Sequence, residues 1–286
     1  MVTITIGMDP DIVRIGPILL TWHGFFTAIA ILAAVWLAGR ELNRKQITIP
    51  NFDLLAVLTI LGGILGARLF FVFDHLGEYL RQPWRILAIT EGGLAVYGGI
   101  LGGTVTAALL LWRQRVPIGP VADAVAPGLL LAQGIGRIGC FINGDAWGGP
   151  CTCLACAGAV AATPTEGLGY CPFALRYTNP KALLPADLLG VPTHPYPIYD
   201  MAVNFLVLAV LWRLRRRGLP DGSLFALYWL LYGIGRFFIS FVRQEAVWFW
   251  GLQQAQVIAL ATALVGAVAL VWLLRRKVPA AAVVQP

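Results

Sequence analysis

The sequence predicts an all-α integral membrane protein of about seven transmembrane helices, with its N-terminus outside, its C-terminus in the cytoplasm and a small extracytoplasmic loop subdomain between spans four and five. Three observations predict it. Of 286 residues, 58% are hydrophobic and only 12% are charged, whereas an ordinary soluble domain carries about 25% charged residues. The apolar residues gather into runs of the roughly 20 residues that a spanning helix requires. The formal charge of +7 comes largely from short basic clusters between those runs, the pattern that sets membrane orientation. A soluble enzyme and a disordered chain are excluded by the apolar excess. A transmembrane β-barrel is excluded by runs far longer than a barrel strand of about ten residues. Nucleic acid is excluded as a partner, because its binders collect Lys and Arg on one solvated face.

The elements follow in order as one polytopic domain over residues 1–286. Met1 to Gly16 has no basic segment ahead of an apolar core, so no cleavable signal peptide is expected. The first span, Ile18–Ala38, then acts as its own insertion signal, and Arg40, Arg44 and Lys45 follow it. The second, Leu54–Phe73, carries Gly62 and Gly66; the third, Gly92–Trp112, carries Gly98, Gly99, Gly102 and Gly103. Such small-xxx-small spacing lets membrane helices pack closely. It also puts Tyr97 in a packed interior, where a phenol needs a polar partner. Arg113 and Arg115 close the third span, and the fourth is Val121–Ile142. The fifth, Ile198–Trp212, is short and ends at Arg213, Arg215, Arg216 and Arg217. Leu224–Val242 and Ala255–Leu274 complete the set, the last followed by Arg275, Arg276 and Lys277. The basic residues after spans one, three, five and seven mark the cytoplasmic side.

Most of the extramembrane mass is the insertion 143–197, rich in Pro and Gly and carrying Cys151, Cys153, Cys156 and Cys171. Loops of this length are usually functional or small subdomains. An oxidising outer compartment favours disulfides there; a zinc site and free thiols stay open as alternatives. All three readings are structural, and catalysis is not expected at these cysteines.

Subtracting the loop cations leaves Arg68, Arg137 and Arg236 inside or near the ends of apolar runs. An arginine at a span centre costs about 2.5–3.5 kcal/mol on insertion scales, so it requires a partner or a function. A guanidinium offers a fork of donors that fits phosphate bidentately, and a phosphate-bearing lipid is the natural ligand within a bilayer. Arg68 is within reach of Asp74 in sequence, a structural alternative for that residue. Gly134, Gly136 and Gly139 flank Arg137, and Gly233 and Gly235 precede Arg236. Glycines beside a charge allow a ligand or another backbone to come close.

The string Gly136-Arg137-Ile-Gly139-Cys140-Phe141-Ile-Asn143-Gly144-Asp145-Ala-Trp147-Gly148 joins an embedded cation, small residues, an amide and a carboxylate. It resembles the signature of the prolipoprotein diacylglyceryl transferase family of bacterial membrane enzymes. The similarity continues through Ile15-Gly16-Pro17, Trp22-His23-Gly24, Gly62-Gly-Ile-Leu-Gly-Ala-Arg68 and the glycine-rich third span. It runs on through Asp123 with Ala126-Pro127, His194-Pro195 with Ile198-Tyr199-Asp200, and Tyr232-Gly-Ile-Gly-Arg236 with Arg243. The resemblance implies a multi-pass protein of the bacterial cytoplasmic (inner) membrane with its active site toward the outer leaflet. The implied reaction moves the sn-1,2-diacylglyceryl group of phosphatidylglycerol to the lipobox cysteine thiol in the signal peptide of a preprolipoprotein. A thioether forms, glycerol phosphate leaves, and no metal or cofactor is needed. Membrane lipids are the remaining implied partners.

By the same resemblance Arg137 and Arg236 hold the phosphate, and Asn143, Gly144 and Asp145 order the site. Arg68, Gly98, Gly99, Tyr199 and Tyr232 complete the expected substrate contacts. The attacking thiol must lose a proton, and the candidate bases are His23, His194, Tyr97, Glu91 and Asp145. The expected catalytic set is Arg137, Arg236, Tyr97, His194 and His23. Four positions depart from the family pattern. Cys140 stands where Asn is usual, Asp145 and Asp200 where Glu is common, and Ser240 where Glu is usual. The last departure removes a counter-ion from the Arg236 helix face. Two other readings remain: a divergent member with another acceptor, and a membrane protein that binds anions or lipids without catalysis.

Overall fold

The computed structural model of the chain describes residues 2–16, 18–87, 93–151, 171, 173–243 and 247–276. Glu91, Cys153, Cys156, Pro17 and Gly92, all weighed above, lie outside these residues. Among the described residues, seven helices are long and apolar enough to cross a membrane: α1 (Trp22–Arg44), α2 (Phe52–Asp74), α4 (Val96–Arg113), α5 (Ile118–Asn143), α6 (Tyr196–Leu214), α7 (Ser223–Ser240) and α8 (Gln254–Arg275). A short helix, α3 (Leu76–Tyr79), follows α2. The chain is a multi-pass helical membrane protein, as expected.

Every span's boundaries shift, four of them notably. The first runs Trp22–Arg44 and not Ile18–Ala38, because Ile18–Thr21 is a strand. The third span starts at Val96, four residues after the expected start, because Gly93 takes the left-handed backbone (φ 76°) and breaks the helix. The fourth begins at Ile118. The fifth extends two residues beyond the expected span at each end, starting at Tyr196. Pro197 sits in its first turn, where a missing N–H costs nothing. Residues 2–6, given no element from the sequence, form a strand. β1 (Val2–Ile6) pairs in parallel with β4 (Phe173–Tyr177) of the insertion, Val2 opposite Phe173 and Ile6 opposite Tyr177. Two other short pairs are β2 (Asp11–Ile15) with β3 (Ile18–Thr21), ahead of α1, and β5 (Val247–Phe249) with β6 (Leu252–Gln253), between α7 and α8.

Internal contacts divide the chain into two compact units. One comprises Gly39–Val121 together with Ile15–Ile18. In it α2 and α4 meet through their glycines: a Cβ on Gly66 would lie 2.8 Å from Gly102 Cα. Lipid tails offer no hydrophobic drive for helix association, so this close van der Waals approach supplies it. Tyr97, expected in a packed interior, is 50% exposed instead. It occupies the first turn of α4 beside Gly98, and the glycine face, not the tyrosine, is turned toward α2.

The other unit contains the N-terminal strands, α1 as far as Ala38, and the chain from Ala122 onward. Its helices also close on small residues. A Cβ on Gly128 would lie 2.8 Å from the Ala34 carbonyl, and one on Gly233 would lie 2.7 Å from the Ala259 carbonyl. Asp123, a charge inside a span, is buried and accepts from the backbone N–H groups of Gly222 (2.9 Å) and Phe225 (3.0 Å). It caps the N-terminus of α7 from the neighbouring α5, satisfying donors that a helix end leaves open. Outside the spans, Ile6, Leu175, Tyr177, Leu184 and Leu188 form a small core under the insertion. The Tyr177 hydroxyl donates to the Phe141 carbonyl at 2.9 Å, and burial pushes its pKa up. Cys151 and Cys171 are joined by a disulfide, their Cα atoms 5.7 Å apart.

Candidate active site

A carboxylate inside a span needs a cation, and Asp200 in the second turn of α6 finds two. Its side chain is 1% exposed, and Oδ2 lies 2.6 Å from Arg137 Nε of α5 and 3.4 Å from Arg236 Nη1 of α7. Three helices therefore meet at one oxygen. Asp200 Oδ1 accepts from Asn204 Nδ2 (3.2 Å), one turn along α6. Arg236 Nη1 also donates to the hydroxyl of Tyr196. The buried Tyr196 ring has the guanidinium carbons of Arg137, Arg236 and Arg243 at 5.9, 5.5 and 5.3 Å from its centre. Cations over a ring face are attracted by its quadrupole. Two guanidiniums thus share one carboxylate while a third stands over the same ring, and the excess positive charge suits an anion. Arg236 has its counter-ion from α6; the carboxylate missing at Ser240 is replaced in space by Asp200. The Ser240 hydroxyl donates instead to the Arg236 carbonyl at 2.7 Å.

Beside this cluster is a cavity of about 200 Å³ lined by His23 and Thr27 of α1, Gln133, Gly136, Arg137 and Cys140 of α5, Asp200 and Asn204 of α6, and Tyr232 of α7. Gly136 leaves open space where a Cβ would be, so a side chain there would project without meeting protein. The other glycines near the arginines serve packing: a Cβ on Gly139 would lie 2.8 Å from His23 Cα, and one on Gly134 would lie 2.7 Å from the Phe205 ring. Two buried amide oxygens on the wall, Gln133 Oε1 and Asn204 Oδ1, have no hydrogen-bond partner among the described residues. Buried acceptors are normally satisfied, so the cavity is prepared for a ligand with donors. A larger apolar groove of about 790 Å³ at the Arg213 end of α6 holds none of the expected site residues.

His23 Nδ1 lies 3.3 Å from Asp145 Oδ2 and 3.7 Å from Cys140 Sγ, and Arg137 Nη1 lies 3.5 Å from that sulfur. His23 is therefore on the cavity wall. His194 is elsewhere: it is buried, its N–H donates to the Gly149 carbonyl at 2.9 Å, and its ring is 6.5 Å from that of Tyr199. Tyr199 also meets Phe173 at 6.1 Å. Tyr232 faces the cavity and stacks on Tyr228, centres 5.8 Å apart. Asn143 is buried at the end of α5, where its carbonyl accepts from Leu183 N at 2.9 Å. Gly144 (φ 73°) ends that helix in the left-handed backbone, its N–H donating to the Cys140 carbonyl at 2.9 Å.

Arg68, Tyr97, Gly98 and Gly99 belong to the other unit. Arg68 is buried and donates to the carbonyls of Ile86 (2.8 Å), Gly93 (3.1 Å) and Arg85. Its fork is used to organise the connection ahead of α4. Gly98 and Gly99 face α2, with a Cβ on Gly99 lying 3.5 Å from that of Ala67. Sequence reasoning missed Asp200 and Tyr196 as members of the arginine cluster. Subtracting buried anions as well as cations finds Asp200; nothing in the sequence singles out Tyr196.

Residues 10–272 match the family model described as prolipoprotein diacylglyceryl transferase. Curated relatives named phosphatidylglycerol–prolipoprotein diacylglyceryl transferase include that of Symbiobacterium thermophilum, 35% identical over 94% of this chain and 94% of the relative. A Nostoc relative of the same name is 34% identical over 94% of this chain and 91% of its own. One from Oceanobacillus iheyensis is 30% identical over 94% and 89%. The similarity runs through every span and through both arms of the Asp200 cluster, and the chain belongs to the prolipoprotein diacylglyceryl transferase family.

Proposed function

We propose that the chain transfers the sn-1,2-diacylglyceryl group of phosphatidylglycerol to the lipobox cysteine of a preprolipoprotein, the first step of lipoprotein maturation. The observation that carries the site assignment is the convergence of Arg137 and Arg236 on Asp200 beside the cavity. The lipid's phosphodiester monoanion becomes a phosphate monoester dianion as the C–O bond breaks. Guanidiniums already held in place stabilise that developing charge without reorganising. The acceptor sulfur forms a C–S bond to the glyceryl carbon, and glycerol phosphate departs with the C–O electron pair. His23, paired with Asp145, takes the thiol proton; among the candidate bases that the structure describes it alone lines this cavity. The vacant acceptors on Gln133 and Asn204 receive the hydroxyls of the glycerol head group. His194 lies off this wall, and Arg68, Tyr97, Gly98 and Gly99 belong to the other unit.

The same reading places the N-terminus outside, the C-terminus in the cytoplasm, and residues 143–197 with the cavity on the outer side of the inner membrane. Reporter fusions at Arg44 and after Asp187 test it, with cytoplasmic and outer signals expected respectively. Activity is tested by incubating the purified protein with phosphatidylglycerol and a lipobox peptide, and detecting the diacylglyceryl thioether by mass spectrometry. Product is expected with the parent chain and strongly reduced with Arg137→Ala or Arg236→Ala. Undiminished product in both variants overturns the site, and absence of product from folded protein overturns the activity. A peptide with serine in place of the lipobox cysteine distinguishes transfer to another acceptor.

A further inference from the structure

Cys140, His23 and Asp145 bring a sulfur, an imidazole nitrogen and a carboxylate oxygen within 4.8 Å of one another. We propose that they form a binding site for a thiophilic divalent cation of the Zn²⁺ class. The argument is geometric. Zinc bonds of about 2.3 Å to sulfur and about 2.0–2.2 Å to nitrogen and oxygen put tetrahedral ligand edges at about 3.5 Å for S···N and about 3.4 Å for N···O. The edges present are 3.7 Å for Cys140 Sγ to His23 Nδ1 and 3.3 Å for His23 Nδ1 to Asp145 Oδ2. Both ligands meet at the same imidazole nitrogen, which one proton cannot serve equally and one metal ion can.

Two further observations support the site. The other Asp145 oxygen, Oδ1, is buried with no partner among the described residues, so the carboxylate is not committed elsewhere. Arg137 Nη1 lies 3.5 Å from Cys140 Sγ, placed as an outer-sphere donor to a metal-bound sulfur. His23 and Cys140 both line the cavity, leaving the fourth tetrahedral position open to it. The donor set of thiolate, imidazole and carboxylate suits zinc and does not suit Mg²⁺ or Ca²⁺. Such an ion is an inhibitor rather than a cofactor. It occupies His23, the base in the function proposed above, and that consequence alone rests on the transferase reading.

The test uses the full chain in detergent, stripped with a chelator. Titration with Co²⁺ is expected to produce a thiolate-to-cobalt charge-transfer band, and titration with Zn²⁺ to displace the cobalt, with excess Mg²⁺ leaving the band unchanged. Cys140→Asn is expected to abolish the band and to weaken Zn²⁺ binding at this site by more than about 100-fold, beyond the 10–100-fold loss that an outer-shell partner costs. Asp145→Asn weakens it in the same direction. Absence of the band from the parent chain, or Zn²⁺ affinity and stoichiometry unchanged in Cys140→Asn, overturns the proposal. These readouts do not depend on transfer activity. Zn²⁺ inhibition of thioether formation is a separate measurement, expected to be relieved by chelator.

Discussion

Asp200→Asn is the perturbation that most directly tests the arginine cluster. The substitution keeps the shape of the side chain and one oxygen but removes the charge that Arg137 and Arg236 share at 2.6 and 3.4 Å. Removing one member of a buried ion pair costs about 3–5 kcal/mol, because the partner is left charged and uncompensated. Here two partners are left. Against that, the Arg137 and Arg236 side chains are 23% and 16% exposed, so cavity water screens part of the loss. The low end, about 3 kcal/mol, is therefore expected. Equilibrium unfolding in detergent micelles measures it, with helix content by circular dichroism as the signal. The decisive comparison is Asp200→Asn combined with Arg236→Gln. Removing both charges relieves the imbalance, so the double variant should be less destabilised than the sum of the singles by about 1–3 kcal/mol. Strict additivity, or an unchanged stability in Asp200→Asn, would refute the reasoning that this carboxylate holds the arginines.

Three further outcomes are expected. Gly233→Ala sets a methyl 2.7 Å from the Ala259 carbonyl and 2.8 Å from Ala263 N, so α7 and α8 must part; overpacking of this kind costs about 1–3 kcal/mol, read by thermal unfolding against Gly190→Ala, whose site has space, after allowance for its strained φ of 78°. Cys151→Ser opens the disulfide that closes a sequence separation of 20 residues and should lower stability by about 3 kcal/mol, with reductant producing the same loss in the parent chain and none in the variant. The Asp9–Lys181 pair, 2.7 Å apart, sets a pH dependence: Lys181 holds the Asp9 carboxyl below its ordinary range. A depressed carboxylate contributes stability above its unfolded pKa of about 4 and loses it as pH falls through the lower folded value. The stability difference between the parent chain and Lys181→Ala should accordingly be present at neutral pH and vanish in strong acid; a difference that persists there refutes the assignment.

The membrane architecture was legible because it is a local property. A span must satisfy its own backbone hydrogen bonds where water is absent, so its existence is written in a contiguous run. Its ends were less legible, since Pro197 and Gly93 act through backbone geometry rather than hydropathy. Arg137 and Arg236 could be singled out by the cost of burying them. The same cost applied to anions leads to Asp123 and Asp200, yet it does not tell their roles apart. Asp123 caps a helix and Asp200 joins two arginines, and only the neighbours decide which. Arg68 illustrates the reverse case: equal in cost to the other two arginines, it is surrounded by carbonyls of its own unit. The glycines divide in the same way, Gly136 open to the cavity and Gly139 against His23.

The pairing of β1 with β4 was not legible at all. Residues 2–6 alternate Val, Ile and Ile with two threonines, a strand pattern in isolation, but the partner begins at Phe173, and no local rule connects the two. By itself the sequence determined the seven spans, the family, and which charges needed explaining, because each follows from the solvent that a short segment meets. The tertiary structure decided which of those charges meet. Asp200 from α6, Arg137 from α5 and Arg236 from α7 are brought together by helix packing through small residues, and the contacts made there belong to no single segment of the chain.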